Sequence, residues 1–459
     1  MGPERKPAMT VTDAPLAEIA AALRAGERDP AACAGRLCDR IDDRDPEIRA
    51  FRGECDRRGR VRAAAERVAD KYGPDERPPL FGVPVGVKDI VHVNGFTTRA
   101  GSALPPELFG GDDAPEAAVV ERLREAGALV LGKTVTTEFA GFAPGLTRNP
   151  HDLEHTPGGS SSGSAAAVAA GMAPLALGTQ TGGSVVRPAA FCGIAGFKPT
   201  FDRVPTAGVL TRSTSVDHVG LFTQDVAGAR RAAAVLCDGW EPVDGHGSDD
   251  GPGDADGSGD AGGSSGHPTL GVPDGPYLDR ADPEGLAAFR EQVAALDEAG
   301  YEVVRARPFE DYERVDRQHL DLTTGEFARE HESWFAEYEP FYRTTTAGTI
   351  REGLAVSEER MRECRAGIER TRERVHERMD AAGVDVWVCP AAPGPAPASI
   401  ATTGDSVINR PWTYAGLPAV TVPAGRVDGL PVGLQCVGRF GHDEELLARV
   451  IGVADVVGA

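Results

Sequence analysis

Two Gly-Gly-Ser triplets, Gly158-Gly159-Ser160 and Gly182-Gly183-Ser184, lie 24 residues apart in the stretch HTPGGSSSGSAAAVAAGMAPLALGTQTGGSVVRPAAFCG. The second follows the strand-like run APLALG, and its glycines let backbone N–H groups come close to a reacting oxygen with no side chain in the way. A serine on such a turn is equipment for acyl transfer: a nucleophilic hydroxyl beside an oxyanion hole, where one donor is worth about 3–4 kcal/mol of barrier. A flexible linker would have no use for the alanine-rich segment between the triplets.

A serine nucleophile needs a base. Of the ten histidines, His155 stands nearest in sequence to the triplets, but its polar surroundings, NPHDLEHTP, read as an exposed turn. Lysine is the other recurring partner of a catalytic serine. The 48 basic residues include only five lysines, Lys6, Lys71, Lys88, Lys133 and Lys198, the rest being arginine. Arginine cannot be deprotonated, so a general base is the one role it cannot take over from lysine. Lys88 ends the apolar run FGVPVGVKD, where burial would depress its pKa from about 10.4 toward neutrality. Lys133 and Lys198 also adjoin apolar runs, and composition does not rank the three. Ser160 would then bridge the lysine and Ser184 as a proton carrier.

The elements that must position these groups follow from periodicity. A first helix is expected from a cap at Thr12 or Asp13, with Leu16, Ile19, Ala20 and Leu23 on one face, and a second from Asp29-Pro30. Apolar runs (VPVGVKDI, ALVLGKT, APLALG) then alternate with helical patterns, which predicts an α/β fold whose sheet is buried on both faces. Residues 244–266, DGHGSDDGPGDADGSGDAGGSSG, carry no large apolar side chain and are expected to form a disordered insertion. Charged helices are expected at about 315–343 and 357–382, then short buried strands and a closing helix with Asp443, Glu444 and Glu445 at its positive end. The run GALVLGKT has the letters of a phosphate-binding loop, but Ala-Leu-Val-Leu is a strand pattern where an exposed cradle is required.

The net charge of −22 sets 70 acidic against 48 basic residues and argues, by repulsion, against a nucleic-acid partner. With arginine so far ahead of lysine it suggests solubility in concentrated salt, where screening shortens the Debye length to about 3 Å; a GC-rich genome is the alternative source of the arginines. There is no apolar run long enough for a membrane span and no signal-peptide core, so a cytoplasmic location is expected. The eight cysteines form no Cys-x-x-Cys pair and read as reduced, mostly buried thiols.

The segments GGSSSGSAAAVAAG, GTQTGGSVVRPAAFCG, GFKPT, GVPVGVKD, STSVDHVGLFTQDV and NRPWTYAGLPAVTVPAG together resemble the amidase signature family over nearly the whole chain. The resemblance implies one large domain around a central twisted mixed sheet with helices on both faces. It would comprise an N-terminal helical segment (1–75), a signature core (80–240), the insertion, a variable substrate-side region (269–385) and a return to the sheet (386–459). It also implies Lys88 as base, Ser160 as a bridging serine held by a cis peptide, Ser184 as nucleophile, and Thr181, Gly182 and Gly183 as oxyanion-hole donors. Gln180 stands where many members carry Asp. The activity implied is cleavage of a carboxylic amide to acid and ammonia or amine, with no cofactor and no metal.

Within the family a stand-alone amidase is expected over the glutaminase subunit of a tRNA-dependent amidotransferase. The reasons are that FDRVPTAG follows KPT and that an Arg-Tyr-Asp-Gly segment is missing. A non-catalytic binding protein on the same fold is the remaining alternative. Partners are then a small-molecule amide and a candidate homodimer, with no nucleic acid and no membrane. Trp334, Phe335, Tyr338, Phe341 and Tyr342 are candidates for the acyl pocket, against the plainer reading of core packing.

Overall fold

Apolar runs without polar alternation belong in strands covered on both sides, and those runs become strands. The computed structural model describes residues 14–243 and 267–458. The insertion at 244–266 and the cap at Thr12 or Asp13 lie outside the described residues. The strands are β1 (Pro84–Lys88), β2 (Leu129–Thr134), β3 (Leu175–Gln180), β4 (Ala195–Lys198), β5 (His218–Thr223), β6 (Leu270–Pro273), β7 (Val303–Ala306), β8 (Val386–Pro390), β9 (Ala419–Val427) and β10 (Leu430–Val437). They form one sheet in the order β2-β1-β3-β5-β4-β9-β10-β8-β6-β7. Pairing is parallel at β1/β2, β1/β3, β6/β7 and β6/β8, and antiparallel through the middle.

The helices are α1 (Leu16–Ala25), α2 (Pro30–Ile48), α3 (Arg57–Lys71), α4 (Ala118–Glu125), α5 (Ser162–Ala169), α6 (Val186–Cys192), α7 (Val226–Leu236), α8 (Pro283–Glu298), α9 (Tyr312–Tyr338), α10 (Thr344–Leu354), α11 (Glu358–Ala382), α12 (Arg410–Tyr414) and α13 (Asp443–Val457). Successive strand residues enter different clusters, as a pleat requires. Val386 and Val388 of β8 pack with α8 and α13 residues such as Phe289 and Leu446. Trp387 and Cys389 pack with α9, α11 and α12 through Leu322, Met379 and Trp412. On β3, Leu175 and Leu177 join the first cluster while Ala176 packs with Ala165 of α5 and Ala189 of α6. The chain is thus a single α/β domain whose mixed sheet is covered on both faces.

Local chemistry explains several boundaries. Asp29 caps α2, accepting from Ala32 N at 2.7 Å with Pro30 in the first turn. α1 begins at Leu16, with Pro15 in the cap position and no side-chain cap. The charged helix expected at about 315–343 is α9, which starts at Tyr312 and stops at Tyr338, where a 3-10 turn over Glu339–Phe341 containing Pro340 takes over; α10 follows from Thr344, beyond the expected range. α3 and α7 have no counterpart in the sequence-based reading.

GALVLGKT becomes the buried strand β2, not a phosphate cradle. The helix-spaced aromatics also resolve toward packing. Phe335 and Tyr342 are buried in the main core with Trp334 and Tyr338 against it, and Phe341 is exposed. Trp334 and Tyr342 cluster with Phe139 and His331.

α5 carries the residues that follow Ser160 and packs tightly. Gly163 donates its N–H to Val135 O at 2.9 Å, and a Cβ there would collide with the Ala50 carbonyl and the Val135 amide, both backbone. Gly163→Ala should therefore lower the unfolding free energy by about 1–3 kcal/mol in a denaturant titration; an unchanged midpoint would contradict the tight seating of α5.

Candidate active site

Three segments converge on the amine of Lys88. β1 delivers the lysine, the turn before α5 delivers Ser160 and Ser161, and β3 delivers Thr179. Nζ lies 2.7 Å from Ser160 Oγ, 2.7 Å from Thr179 Oγ1 and 3.0 Å from Ser161 Oγ. Ser161 and Thr179 fix one another, the serine hydroxyl lying 3.2 Å from both the N and the O of Thr179. Lys88 is fully buried, and desolvation pushes its pKa well below the usual lysine value. The field of Asp217 works in the opposite direction and that of Arg212 with the burial.

The other candidate lysines have other company. Lys133 Nζ bonds Val91 O at 2.6 Å and Thr98 Oγ1 at 3.0 Å and pairs with Asp89 at 3.1 Å. Lys198 Nζ bonds the carbonyls of Leu417 (2.5 Å) and Pro199 (3.0 Å), and burial brings its pKa down to about 7. Of the three, Lys88 is the one set against serine hydroxyls. His155 lies 3.2 Å from Asp152 in its own loop.

The Gly159–Ser160 peptide is cis. Arg187 of α6 donates from Nη2 to Gly159 O at 2.7 Å, tying this turn to the helix that follows the second triplet. That triplet is oriented through its carbonyls. Thr181 O accepts from His319 Nε2 at 2.7 Å, Gly182 O from Thr413 Oγ1 at 2.6 Å, and Gly183 O from Arg187 N at 3.0 Å. In a trans peptide the N–H points away from its carbonyl, so these anchors aim the N–H groups of Gly182, Gly183 and Ser184 to the opposite side. Gly183 admits no larger residue, since a Cβ would strike Asn409 Oδ1.

Gln180 has a specific place here. Its Oε1 accepts from Val185 N (2.8 Å) and Val186 N (3.0 Å), bonds a carboxylate could also take, and its Nε2 donates to Thr413 Oγ1 at 2.9 Å. An uncharged amide thus holds the turn and adds a donor.

Ser184 is partly open, in a small pocket that Thr181, Gly182 and Gly183 also line. Arg187, Arg212, His319, Thr323, Thr403, Ser406 and Arg410 complete its polar wall. The region 300–385 thus contributes His319, Leu320 and Thr323, and none of the candidate aromatics Trp334, Phe335, Tyr338, Phe341 and Tyr342. His319 Nε2 must be the donor to a carbonyl, and burial lowers the ring's pKa to about 4, so its Nδ1 is a bare acceptor. Thr179, Ser161, Arg187, Arg212 and His319 were missed from the sequence. The first two sit inside the serine- and glycine-rich stretches and were within reach; the arginines and His319 had no signal among so many arginines and ten histidines.

Residues 34–447 match the family model Amidase. The chain is 35% identical to the A-type component of the glutamyl-tRNA(Gln) amidotransferase of Symbiobacterium thermophilum, covering 92% of each chain. Among solved structures it resembles an amidase at 31% identity, with a TM-score of 0.81 over 96% of this chain and 99% of that one. It also resembles the peptide amidase of Stenotrophomonas maltophilia at 27% identity, with a TM-score of 0.79 over 98% of each.

These relatives correct the expected partners. Amidotransferase components of the same name recur in Roseiflexus castenholzii and Geobacillus kaustophilus, and that name carries a tRNA. The expectation of no nucleic acid does not stand. Net charge describes the repulsion between one chain and a phosphate backbone, and it does not govern a component whose neighbours can meet the RNA. Among the described residues no helix is long and apolar enough to cross a membrane.

A lysine with a lowered folded pKa binds fewer protons folded than unfolded at pH values between its two pKa values, so its contribution to stability rises with pH across that window. Lys88→Met removes this dependence. The variant's stability relative to the parent should improve as pH falls from about 10 to about 7, by up to about 1.4 kcal/mol per unit. Denaturant titrations at several pH values measure it, and a pH-independent difference would mean that Lys88 titrates normally.

Proposed function

Since the chain belongs to the amidase family and is an enzyme acting on C–N amide bonds, we propose that it releases ammonia from a carboxamide as the glutaminase component of a tRNA-dependent amidotransferase. The observation that carries the chemistry is the buried Lys88 amine 2.7 Å from the Ser160 hydroxyl. The observation that favours a member of a complex over a stand-alone amidase is the shared name of its curated relatives. The sequence-based preference for a stand-alone enzyme gives way to it.

In the proposed reaction, neutral Lys88 takes the Ser160 proton while Ser160 takes that of Ser184, whose Oγ bonds to the amide carbon. The N–H groups of the Thr181–Ser184 turn receive the oxyanion. Collapse breaks the C–N bond, and the proton passes back through Ser160 to the nitrogen, which leaves as ammonia. Water then adds to the Ser184 ester, its proton following the same relay, and the acid departs. No step calls for a metal or organic cofactor.

A second reading has its own support. The peptide amidase resembles this chain over its full length, and FDRVPTAG follows KPT here. On that reading the chain hydrolyses amides unaided. The cytoplasm is the compartment that suits either, and the acidic surface suits concentrated salt.

Ammonia release from glutamine should rise when the remaining amidotransferase components of the same source are added, and Ser184→Ala should lower it about 1,000-fold or more. Full activity of the isolated chain on simple amides, with glutamine a poor substrate, would establish the second reading. Label from a fluorophosphonate should reside on Ser184, and label elsewhere would remove the proposed nucleophile. Midpoints of thermal unfolding should rise with KCl toward about 1 M as carboxylate repulsion is screened; a flat response would leave codon bias as the source of the composition.

A further inference from the structure

The amine of Lys88 bonds three hydroxyls, and no carboxylate is among its partners. Asp89, next in the chain, is paired with Lys133 at 3.1 Å and Arg52 at 2.9 Å. The charged groups whose fields reach Lys88 are Asp217 and Arg212, and they act in opposite directions. Strand register sets the place of Asp217. β3 and β5 pair antiparallel with Thr179 opposite Val219 and Gln180 opposite His218, which carries Asp217 to Thr181. Its Oδ1 accepts from Thr181 Oγ1 at 2.6 Å, and its Oδ2 from Arg212 N at 2.7 Å and Ser213 N at 2.9 Å. Three donors on its oxygens favour the ionised carboxylate against the burial that raises its pKa.

Thr179 and Thr181 are two residues apart, so their side chains leave the same face of the strand, about 7 Å from one another. The first holds Lys88 Nζ at 2.7 Å, the second holds Asp217, and both line a second cavity together with Arg212, Asp217 and His218. The other charges around this cavity are committed elsewhere. His218 donates from Nδ1 to Val216 O at 2.7 Å, and burial holds its pKa well below the usual histidine value, so the ring is neutral. Asp202 lines the cavity but is exposed to solvent. Glu326 of α9 accepts from Ser213 Oγ, Ser215 Oγ and Arg365 Nε. Arg212 is buried between the rings of Phe142 and Phe327, with no hydrogen-bond partner at Nη1.

A neutral amine in a dry site is a weak base unless the ammonium it becomes has a counter-charge. We infer that Asp217 is a positioning residue for the proton on Lys88, its carboxylate stabilising the ammonium that forms when the Ser160 proton arrives. The proton moves from Ser160 Oγ to the lone pair of Nζ as the Ser160 oxygen takes the Ser184 proton, and it returns by the same path to the leaving nitrogen; Asp217 neither gains nor gives one. Arg212 opposes the carboxylate and keeps the resting amine neutral. The inference rests on the proposed reading of Lys88 as the base.

The test is the rate at which a fluorophosphonate labels Ser184 of the full chain, read against pH. The wild-type rate should fall on the acid side as Lys88 becomes protonated. Asp217→Asn can keep the bonds, its oxygen on the two backbone amides and its Nδ2 donating to Thr181 Oγ1, while the charge is lost. Its acid-side midpoint should lie about 1 pH unit or more below that of wild type, and its plateau rate should be about 3-fold or more lower because the base is weaker. Arg212→Met, which leaves Asp217 in place, should move the midpoint upward. A lower rate with an unmoved midpoint in Asp217→Asn would overturn the inference and reduce Asp217 to a brace of its loop. So would a midpoint that does not rise in Arg212→Met, a result that counts even where Asp217→Asn fails to fold. A Lys88→Met protein labelled as fast as wild type would instead remove the reading of Lys88 as base, which separates the two failures.

Discussion

The burial of Lys88 is the constraint on which the site depends. An ammonium taken out of water loses hydration that hydroxyl groups only partly replace, so the neutral amine gains relative to the charged one. Holding it there takes hydroxyls from separate segments, Ser160 and Ser161 from one turn and Thr179 from β3. The parallel pairing of β1 with β3, Val87 opposite Leu177, brings the end of one strand to the residues that end the other. Ser184 then follows Thr179 after a turn of four residues. The β1/β3 register thus sets Lys88 beside Thr179 and the Gly182–Ser184 turn, and the turn before α5 adds Ser160.

The rest of the chain serves the turn from a distance. His319 lies 138 residues from the carbonyl it holds, and Thr413 lies 231 residues from its own. Their helices, α9 and α12, pack on the same face of the sheet through Leu322 and Trp412. Arg187 makes the shortest of these ties, joining the two Gly-Gly-Ser turns through a side chain and a backbone amide. A large domain is needed because backbone N–H groups can be aimed only by fixing the peptides that carry them.

What could be read from the sequence was what local chemistry dictates. Most strands were legible as apolar runs, though β4 and β5 were not, and of the three lysines beside apolar runs Lys88 is the one set against serine hydroxyls. The P-loop letters at Gly127–Thr134 failed for the reason visible in their apolar interior. Arg212 and His319 could not be found, because their distinction is a missing partner and a missing partner is a property of three dimensions. The aromatics at 334–342 could be given only as pocket candidates against the plainer reading of core packing, because helical spacing looks the same in either case; the structure packs them in or against the core, with Phe341 exposed. Nucleic acid was excluded too readily, because net charge summed over one chain says nothing about an assembly of the kind its relatives' names describe.

The protonation state of Lys88 is the central claim, and 15N NMR of the lysine side-chain nitrogens measures it directly. The chain has only five lysines, so the Lys88 resonance is assignable by comparison with Lys88→Met. The account predicts that Lys88 Nζ titrates well below the free-lysine value of about 10.4. A Lys88 ammonium that persists to about pH 10 would contradict it.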